Sequence, residues 1–223
     1  MFESAVFQEW LKYWKMLVWP AIGATLRMVL ATMVLAFFFG FLLAIVLVIT
    51  RPDGLHPNKK VYGILNVIVN TCRSFPTIIL IVAISPVTRM VMGTMIGERA
   101  AIFPLTIAAT PFVGRIIESA LSQVDKQLIE AARASGASDL QIIFDVMFKE
   151  AVPAIVSGCT LASITYLSTT TIAGAVGAGG IGSIALNYGY HNYNKPVLYT
   201  CVVLLILLVN LIQGIGNWLN KKL

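Results

Sequence analysis

Carboxylates are scarce in this sequence: only 10 of its 223 residues are Asp or Glu, and none follows Glu150. Its long apolar runs hold no Asp, Glu or His apart from Glu118, near the end of one of them. Ion-coupled secondary transporters place such a group in the membrane as their coupling site, so that class lacks its central feature here. The chain also lacks H-E-x-x-H, G-x-S-x-G and any paired intramembrane carboxylate, which leaves catalysis without residues to carry it. No G-x-x-x-x-G-K-[ST] loop cradles phosphates, so any ATP must be hydrolysed by another polypeptide. Gly177-Ala178-Gly179-Gly180-Ile181-Gly182 formally matches a dinucleotide fingerprint, but the acidic residue required about 20 positions later is missing. Cys72, Cys159 and Cys201 lack metal-ligand spacing and read as small core residues. No metal and no cofactor bound by this chain is expected.

Apolar side chains are what the sequence has in abundance. With 58% hydrophobic residues, 12% charged residues and a mean hydropathy of +0.84, it is too apolar for a water-soluble domain. Residues 28–49 and 197–219 run 22 and 23 positions without a charge. Crossing the ~30 Å hydrocarbon core takes roughly 20 such residues. Three weaker runs carry Pro, Ser, Thr or one basic residue, which helices inside a bundle tolerate. The sequence therefore predicts an all-α integral membrane protein, a single transmembrane domain over 1–223 with five transmembrane helices. These fall at about 22–49, 61–84, 100–121, 153–175 and 197–219, with a helical loop at about 122–150 between the third and fourth.

Five spans put the termini on opposite sides. Nine of the 16 Lys and Arg fall on the side of 51–60, 115–150 and the tail, and six on the other, with Arg73 inside a span. That bias, and the clusters Lys59-Lys60 and Lys221-Lys222, orient the N-terminus outside and the C-terminus in the cytoplasm. His56 and His191 then lie on opposite sides and cannot share a metal. The net charge of +6 is spread over loop ends, which fits anchoring in the lipid bilayer rather than nucleic acid. Trp10, Trp14 and Trp19 beside Lys12 and Lys15 read as an interfacial belt. Residues 1–19 lack the apolar core and small-residue site of a cleavable signal.

The loop holds most of the remaining polarity. Counting Glu118 just before it, it contains six of the 10 acidic residues. Residues 122–135 are rich in Ala, Gln, Leu and Glu, which favour helix, and Gly136 is placed to end that helix in the left-handed conformation. Ser138-Asp139-Leu140-Gln141 reads as a capping box. Leu140, Ile143, Phe144, Met147, Phe148 and Ala151 then recur as one helical stripe. An amphipathic helix lying on the membrane surface is the plain reading; a docking surface for a cytoplasmic protein is the sharper one.

Glu130-Ala131-Ala132, Arg133 and then Gly136 resemble the EAA motif of ABC-transporter permeases, the loop that couples a membrane domain to its ATPase. Lys149 stands where that pattern usually has proline. Arg73-Ser74-Phe75-Pro76, the glycine run 177–182, and Tyr188-Gly189-Tyr190 with Tyr193-Asn194 are similar to the methionine-uptake branch, over roughly residues 50–217. The resemblance implies a homodimer of five-span subunits in the bacterial plasma (inner) membrane. It implies two cytoplasmic ATPase subunits, which use the ATP, and an extracytoplasmic substrate-binding lipoprotein that delivers the amino acid. Coupling to the ATPase would fall to Glu130, Ala131, Ala132, Arg133 and Gly136.

Candidates for the translocation pathway are Arg73, Ser74, Phe75, Pro76, Ser163, Ser168, Thr169, Gly177 and Gly179. Arg73 sits close to mid-membrane, where a lone charge usually faces a cavity or a partner, and Pro76 is expected to kink its helix. The hydroxyls of the fourth span either bond back to their own helix or line an aqueous path. Arg115 and Glu118 are most simply a helix-surface ion pair. Alternatives are an importer of another small amino acid or metabolite, an ion-coupled secondary transporter, and a membrane scaffold.

Overall fold

Apolar runs without paired breakers satisfy their backbone only as helix in a membrane, and helix is the regular structure of the computed structural model, which describes residues 13–223. Trp10 and Lys12, two members of the expected aromatic belt, lie outside these residues. Trp14–Val18 is a π-helical turn that runs into the Trp19–Thr50 helix. Lys59–Ser74, Thr77–Ala83 and Ser85–Met92 come next, then Glu98–Leu121 and the short Lys126–Ala134. Asp139–Gln141 passes through π-helical Ile142–Phe148 into Lys149–Ala175; Gly180–Ile184 passes through π-helical Ala185–His191; Lys195–Asn220 is last. No strand occurs among the described residues.

Three helices are long and apolar enough to cross a membrane: Trp14–Thr50 with 37 residues, Glu98–Leu121 with 24 and Lys195–Asn220 with 26. At 1.5 Å per residue even the shortest spans about 36 Å. The second expected span is not one kinked helix. It breaks at Phe75 and Pro76, both extended (φ −79°, ψ 129° and φ −60°, ψ 121°). Proline disfavours helical backbone in the residue before it, so a kink becomes a stop, and Lys59–Ser74 with Thr77–Ala83 counts as a fourth span only as a broken pair. The expected fourth span, 153–175, lies within Lys149–Ala175, a 27-residue helix whose many hydroxyls interrupt its apolar surface.

The chain divides into two compact units. The first gathers described residues 13–34, 76–107 and 163–212. Met28, Ala101, Leu105, Ala173 and Ala178 form one buried cluster in it, and Ala21, Ile181, Val197 and Cys201 another. Between them, residues 177–180 run as a strap in which Gly177, Gly179 and Gly180 all have positive φ (93°, 81° and 77°), a conformation that side chains resist. The strap is fastened by Gly97 N donating to the Gly177 carbonyl (2.8 Å) and by Ile181 N donating to Thr25 Oγ1 (2.9 Å).

The second unit gathers 35–75, 108–162 and 213–223. Leu47, Val113, Ile117, Leu121 and Ile142 are buried in it. Within it, the Trp19–Thr50 and Glu98–Leu121 helices meet at Gly40 and Gly114. A Cβ at Gly40 would stand 2.9 Å from Gly114 N and 3.0 Å from the Thr110 carbonyl, both backbone atoms that cannot yield. A Cβ at Gly63, by contrast, would meet nothing within 4 Å. Gly40→Leu is expected to cost about 1–3 kcal/mol through overpacking, read as a lower Tm of the detergent-solubilised protein. Gly63→Ala should leave Tm unchanged or raise it, since alanine favours helix over glycine by about 1 kcal/mol.

Candidate coupling surface

The Lys126–Ala134 helix is built by local chemistry. Asp125 caps its start, accepting from Gln127 N at 2.9 Å. Its end is a reciprocal pair of bonds: Ala137 N donates to the Ala132 carbonyl (3.1 Å) and Gly136 N to the Arg133 carbonyl (3.0 Å). That is the Schellman arrangement, which needs a left-handed residue at the turn, and Gly136 supplies it at φ +81°. Nothing lies within 4 Å of a Cβ at Gly136, so the requirement there is conformational and not steric. No residue of this helix is buried. Glu130, Ala131, Arg133 and Gly136 are exposed and Ala132 is half-buried. A nine-residue helix with no buried side chain has an open face.

The next helix starts with the expected capping box: Ser138 N donates to Gln141 Oε1 (2.8 Å) and Gln141 N to Ser138 Oγ (3.4 Å). Its apolar stripe differs from the one expected at α-helical spacing. Ile142, Ile143, Met147 and Ala151 are buried, while Leu140 and Phe144 are 67% and 44% exposed. The cause is the π-helical stretch Ile142–Phe148, whose wider turns rotate the buried face and bring Ile142 inward. Phe144 and Phe148 instead meet Phe41, ring centroids 6.1 and 5.4 Å away.

Two side-chain contacts tie these helices to the turn after the first long helix, and a third braces the turn itself. Asp53 bridges Arg51 (2.8 Å) and Lys126 (3.3 Å), and His56 Nε2 lies 2.6 Å from Asp139 Oδ2. Burial opposes the charge on Asp53, but Lys126 and Arg51 more than offset it and hold the carboxyl below its usual range. The turn and the Lys126–Ala134 helix enclose a cavity of about 150 Å³, with Val48, Leu121, Ile129 and Met147 inside and Glu130 and Arg133 on its walls. None of these partners of the loop was evident in the sequence.

A second polar cluster lies deeper. Arg115 Nη1 donates to Glu118 Oε2 (2.6 Å); its Nη2 donates to Asn70 Oδ1 (3.0 Å) and to Asn66 Oδ1; and the Tyr62 hydroxyl donates to Glu118 Oε1 (3.3 Å). Glu118 is only 3% exposed, so the expected helix-surface pair is a buried one. Tyr62, Asn66 and Asn70, four residues apart, make one polar face of the Lys59–Ser74 helix. One turn on, Arg73 lies with its guanidinium 5.8 Å from the centroid of the Phe112 ring.

The pathway candidates are distributed over both units. Arg73, Ser74 and Phe75 belong to the second and are exposed; Pro76, Ser163, Ser168, Thr169, Gly177 and Gly179 belong to the first. Ser74 Oγ donates back to the Asn70 carbonyl (2.9 Å). Ser168 and Thr169 likewise donate to the carbonyls of Ile164 (3.3 Å) and Thr165 (2.9 Å), the self-satisfying option of the two the sequence left open. Among the described residues, no three His, Cys, Asp or Glu side chains are placed to hold a metal.

Residues 36–223 match the family described as binding-protein-dependent transport system inner membrane component. The chain is 42% identical over 214 residues to the probable D-methionine transport system permease protein MetI of Vibrio cholerae, covering 96% of this chain and 95% of that one. It is 39% identical over 175 residues to the methionine import system permease protein MetP of Bacillus subtilis, covering 78% and 79%. A solved inward-facing structure of the MetNI methionine ABC transporter superposes with a TM-score of 0.90 at 42% identity, covering 92% of this chain and 95% of that chain. An amino acid ABC transporter solved with histidines shares the fold, at a TM-score of 0.76 and 16% identity.

The buried cluster makes an ordered prediction. Arg115→Ala strands a buried carboxylate and is expected to destabilise by about 3–5 kcal/mol. Glu118→Gln keeps an acceptor for the Tyr62 hydroxyl and leaves behind only a partly exposed cation, so its effect on Tm should be clearly smaller. Equal losses for the two variants would show that Glu118 is not held by Arg115.

Proposed function

The chain belongs to the family of binding-protein-dependent transport system inner membrane components, and on that premise we propose that it is the permease subunit of an ATP-driven methionine importer. The substrate rests on relatives named for methionine transport that share 42% and 39% of their aligned residues with it. Two copies form the pathway through five spans each, counting the broken pair and Lys149–Ala175. Two cytoplasmic ATPase subunits supply the energy, and an extracytoplasmic binding protein supplies the amino acid. The permease itself carries out no chemistry; ATP belongs to its partner.

One observation carries the assignment of the coupling role. The Lys126–Ala134 helix buries none of its residues, yet its two ends are fixed by Asp125 and by the Gly136 turn. An ordered but unpartnered helix fits a socket on another protein. Glu130, Ala131, Ala132, Arg133 and Gly136 present its surface, and the small alanines allow close approach of a second backbone. ATP-driven closure of the ATPase pair moves this helix, and the helices it packs against move with it between two states. The pathway is assigned to Arg73 with Ser74, Phe75 and Pro76, and to Ser163, Ser168, Thr169, Gly177 and Gly179. The exposed guanidinium of Arg73 offers a cation to an amino-acid carboxylate.

Gly136→Val places a β-branched residue at positive φ, a strained arrangement of order 1–3 kcal/mol. The variant should insert in the membrane and bind the ATPase more weakly, losing most substrate-stimulated ATP hydrolysis and uptake in proteoliposomes. Normal coupling in that variant would remove the loop from the mechanism.

Orientation is checked independently. In a background without native cysteines, Asn187→Cys should react with an impermeant maleimide on intact cells, and Ser138→Cys only after permeabilisation. The reverse pattern would put the proposed coupling helix where no ATPase reaches it.

A further inference from the structure

Negative charge is almost absent from the described residues of the first unit. Glu98 is its only carboxylate among the described residues. Both its oxygens are occupied by Arg27, whose Nε lies 3.1 and 3.2 Å from Oε1 and Oε2 and whose Nη2 lies 2.8 Å from Oε2. Lys15, Arg89, Arg99 and Lys195 remain, all exposed and without an ion-pair partner among the described residues. Among the described residues, the surface of this unit therefore offers cations and no free anion.

One of those cations stands in a concavity. Tyr13, Tyr188, Asn192, Tyr193, Asn194 and Lys195 line an open cleft of about 510 Å³. Its chemistry is that of hydrogen-bond donors around an ammonium group: three phenol hydroxyls, two side-chain amides and Lys195. Asn194 Oδ1 already accepts from Val197 N (3.2 Å), which turns its amide nitrogen toward other partners. Tyr193 is the one non-glycine residue at positive φ among the described residues, at 53°, and it is 86% exposed. A bulky ring held outward in left-handed backbone is strained. Apolar burial does not account for it.

We propose that this cleft is the docking point for an acidic side chain on the extracytoplasmic binding protein, with Lys195 as its counter-ion and the tyrosine and asparagine side chains as its donors. The inference rests on the proposed importer function, whose orientation places the loop that carries Lys195 on the outer side. Charge complementarity selects the partner's chemistry. No carboxylate stands among the described residues that line the cleft, and a surface cation steers a partner of opposite sign. Concavity and the amides favour a protein over a lipid headgroup, because a headgroup anchor needs only a cation and an aromatic ring at the bilayer surface. Tyrosine and asparagine together are instead the composition of protein-binding surfaces.

The test uses the permease assembled with its ATPase in nanodiscs of zwitterionic lipid, titrated with the soluble binding protein of the same importer. Lys195→Glu is expected to weaken that binding about tenfold at low salt, with Lys195→Gln intermediate and the difference shrinking at high salt. An Asp or Glu to Lys reversal on the binding protein should restore affinity for Lys195→Glu at one position and not at others. Tyr193→Gly, which relieves the backbone strain while removing the ring, should also weaken binding although the protein folds. Wild-type affinity in Lys195→Glu overturns the docking point. So does an effect of Lys195→Glu confined to nanodiscs containing anionic lipid, which would assign the cleft to headgroups. If the wild-type complex neither binds the protein nor hydrolyses ATP faster in its presence, the importer reading fails, and this docking point fails with it.

Discussion

The Arg115–Glu118 pair, with the amides of Asn66 and Asn70 and the hydroxyl of Tyr62, fixes the position of a helix that little else holds. Lys59–Ser74 buries only one residue, Val69, so apolar packing contributes little to its placement. A carboxylate that is 3% exposed cannot rely on water; it must be paired or become neutral. Arg115 provides the charge and the two asparagines take up its remaining donors. The polar face of one helix and the ion pair of another are thus each incomplete alone. The downstream chain inherits this placement, including Arg73 one turn beyond Asn70 and the break at Pro76.

How much of this was legible depends on how local each cause is. The capping box at Ser138 and the left-handed turn at Gly136 involve residues three to five apart, and both stood in the sequence in their final form. The apolar stripe after Ser138 was only half legible, because a π-helical stretch leaves no periodic signature and moved Ile142 inward and Leu140 outward. The stop at Phe75 and Pro76 was readable as a disturbance, but not as a break in place of a kink. Partners far apart in sequence were invisible: Asn66 and Arg115 are 49 residues apart, His56 and Asp139 are 83 apart, and no spacing rule connects them.

The same absence of competing water explains what the hydroxyls and glycines do. A buried or lipid-facing hydroxyl without a partner is costly, and the carbonyl one turn back is always within reach. Ser168, Thr169, Thr170 and Thr171 all take that bond or a close equivalent. Composition alone could not decide between this and a polar lining, since a hydroxyl that donates to its own helix still has lone pairs to offer. Small residues act in the complementary way. Where helices touch at Gly40 and Gly114, a side chain is excluded by backbone atoms about 3 Å away, and van der Waals contact replaces the hydrophobic drive that lipid cannot provide.

For the Lys126–Ala134 helix, proposed above as the coupling element, these constraints separate two tasks onto two surfaces. Its outward face is held in shape by its own caps and by nothing else, so a partner can meet it without dismantling internal packing. Its inward link runs through polar contacts that are mostly exposed, Asp53 with Lys126 and His56 with Asp139 at 42–70% side-chain exposure. Exposed pairs are worth little, typically about 0–1 kcal/mol, so these contacts align the loop but cannot by themselves transmit a large displacement. Displacement has to pass through apolar contact, and the loop buries its apolar side chains in the next helix, at Ile142, Ile143 and Met147. Packed interiors yield little. In the proposed mechanism, a push on the exposed helix would therefore reach the spans through the π-helical segment, which buries Ile142 beside Ile143 and Met147.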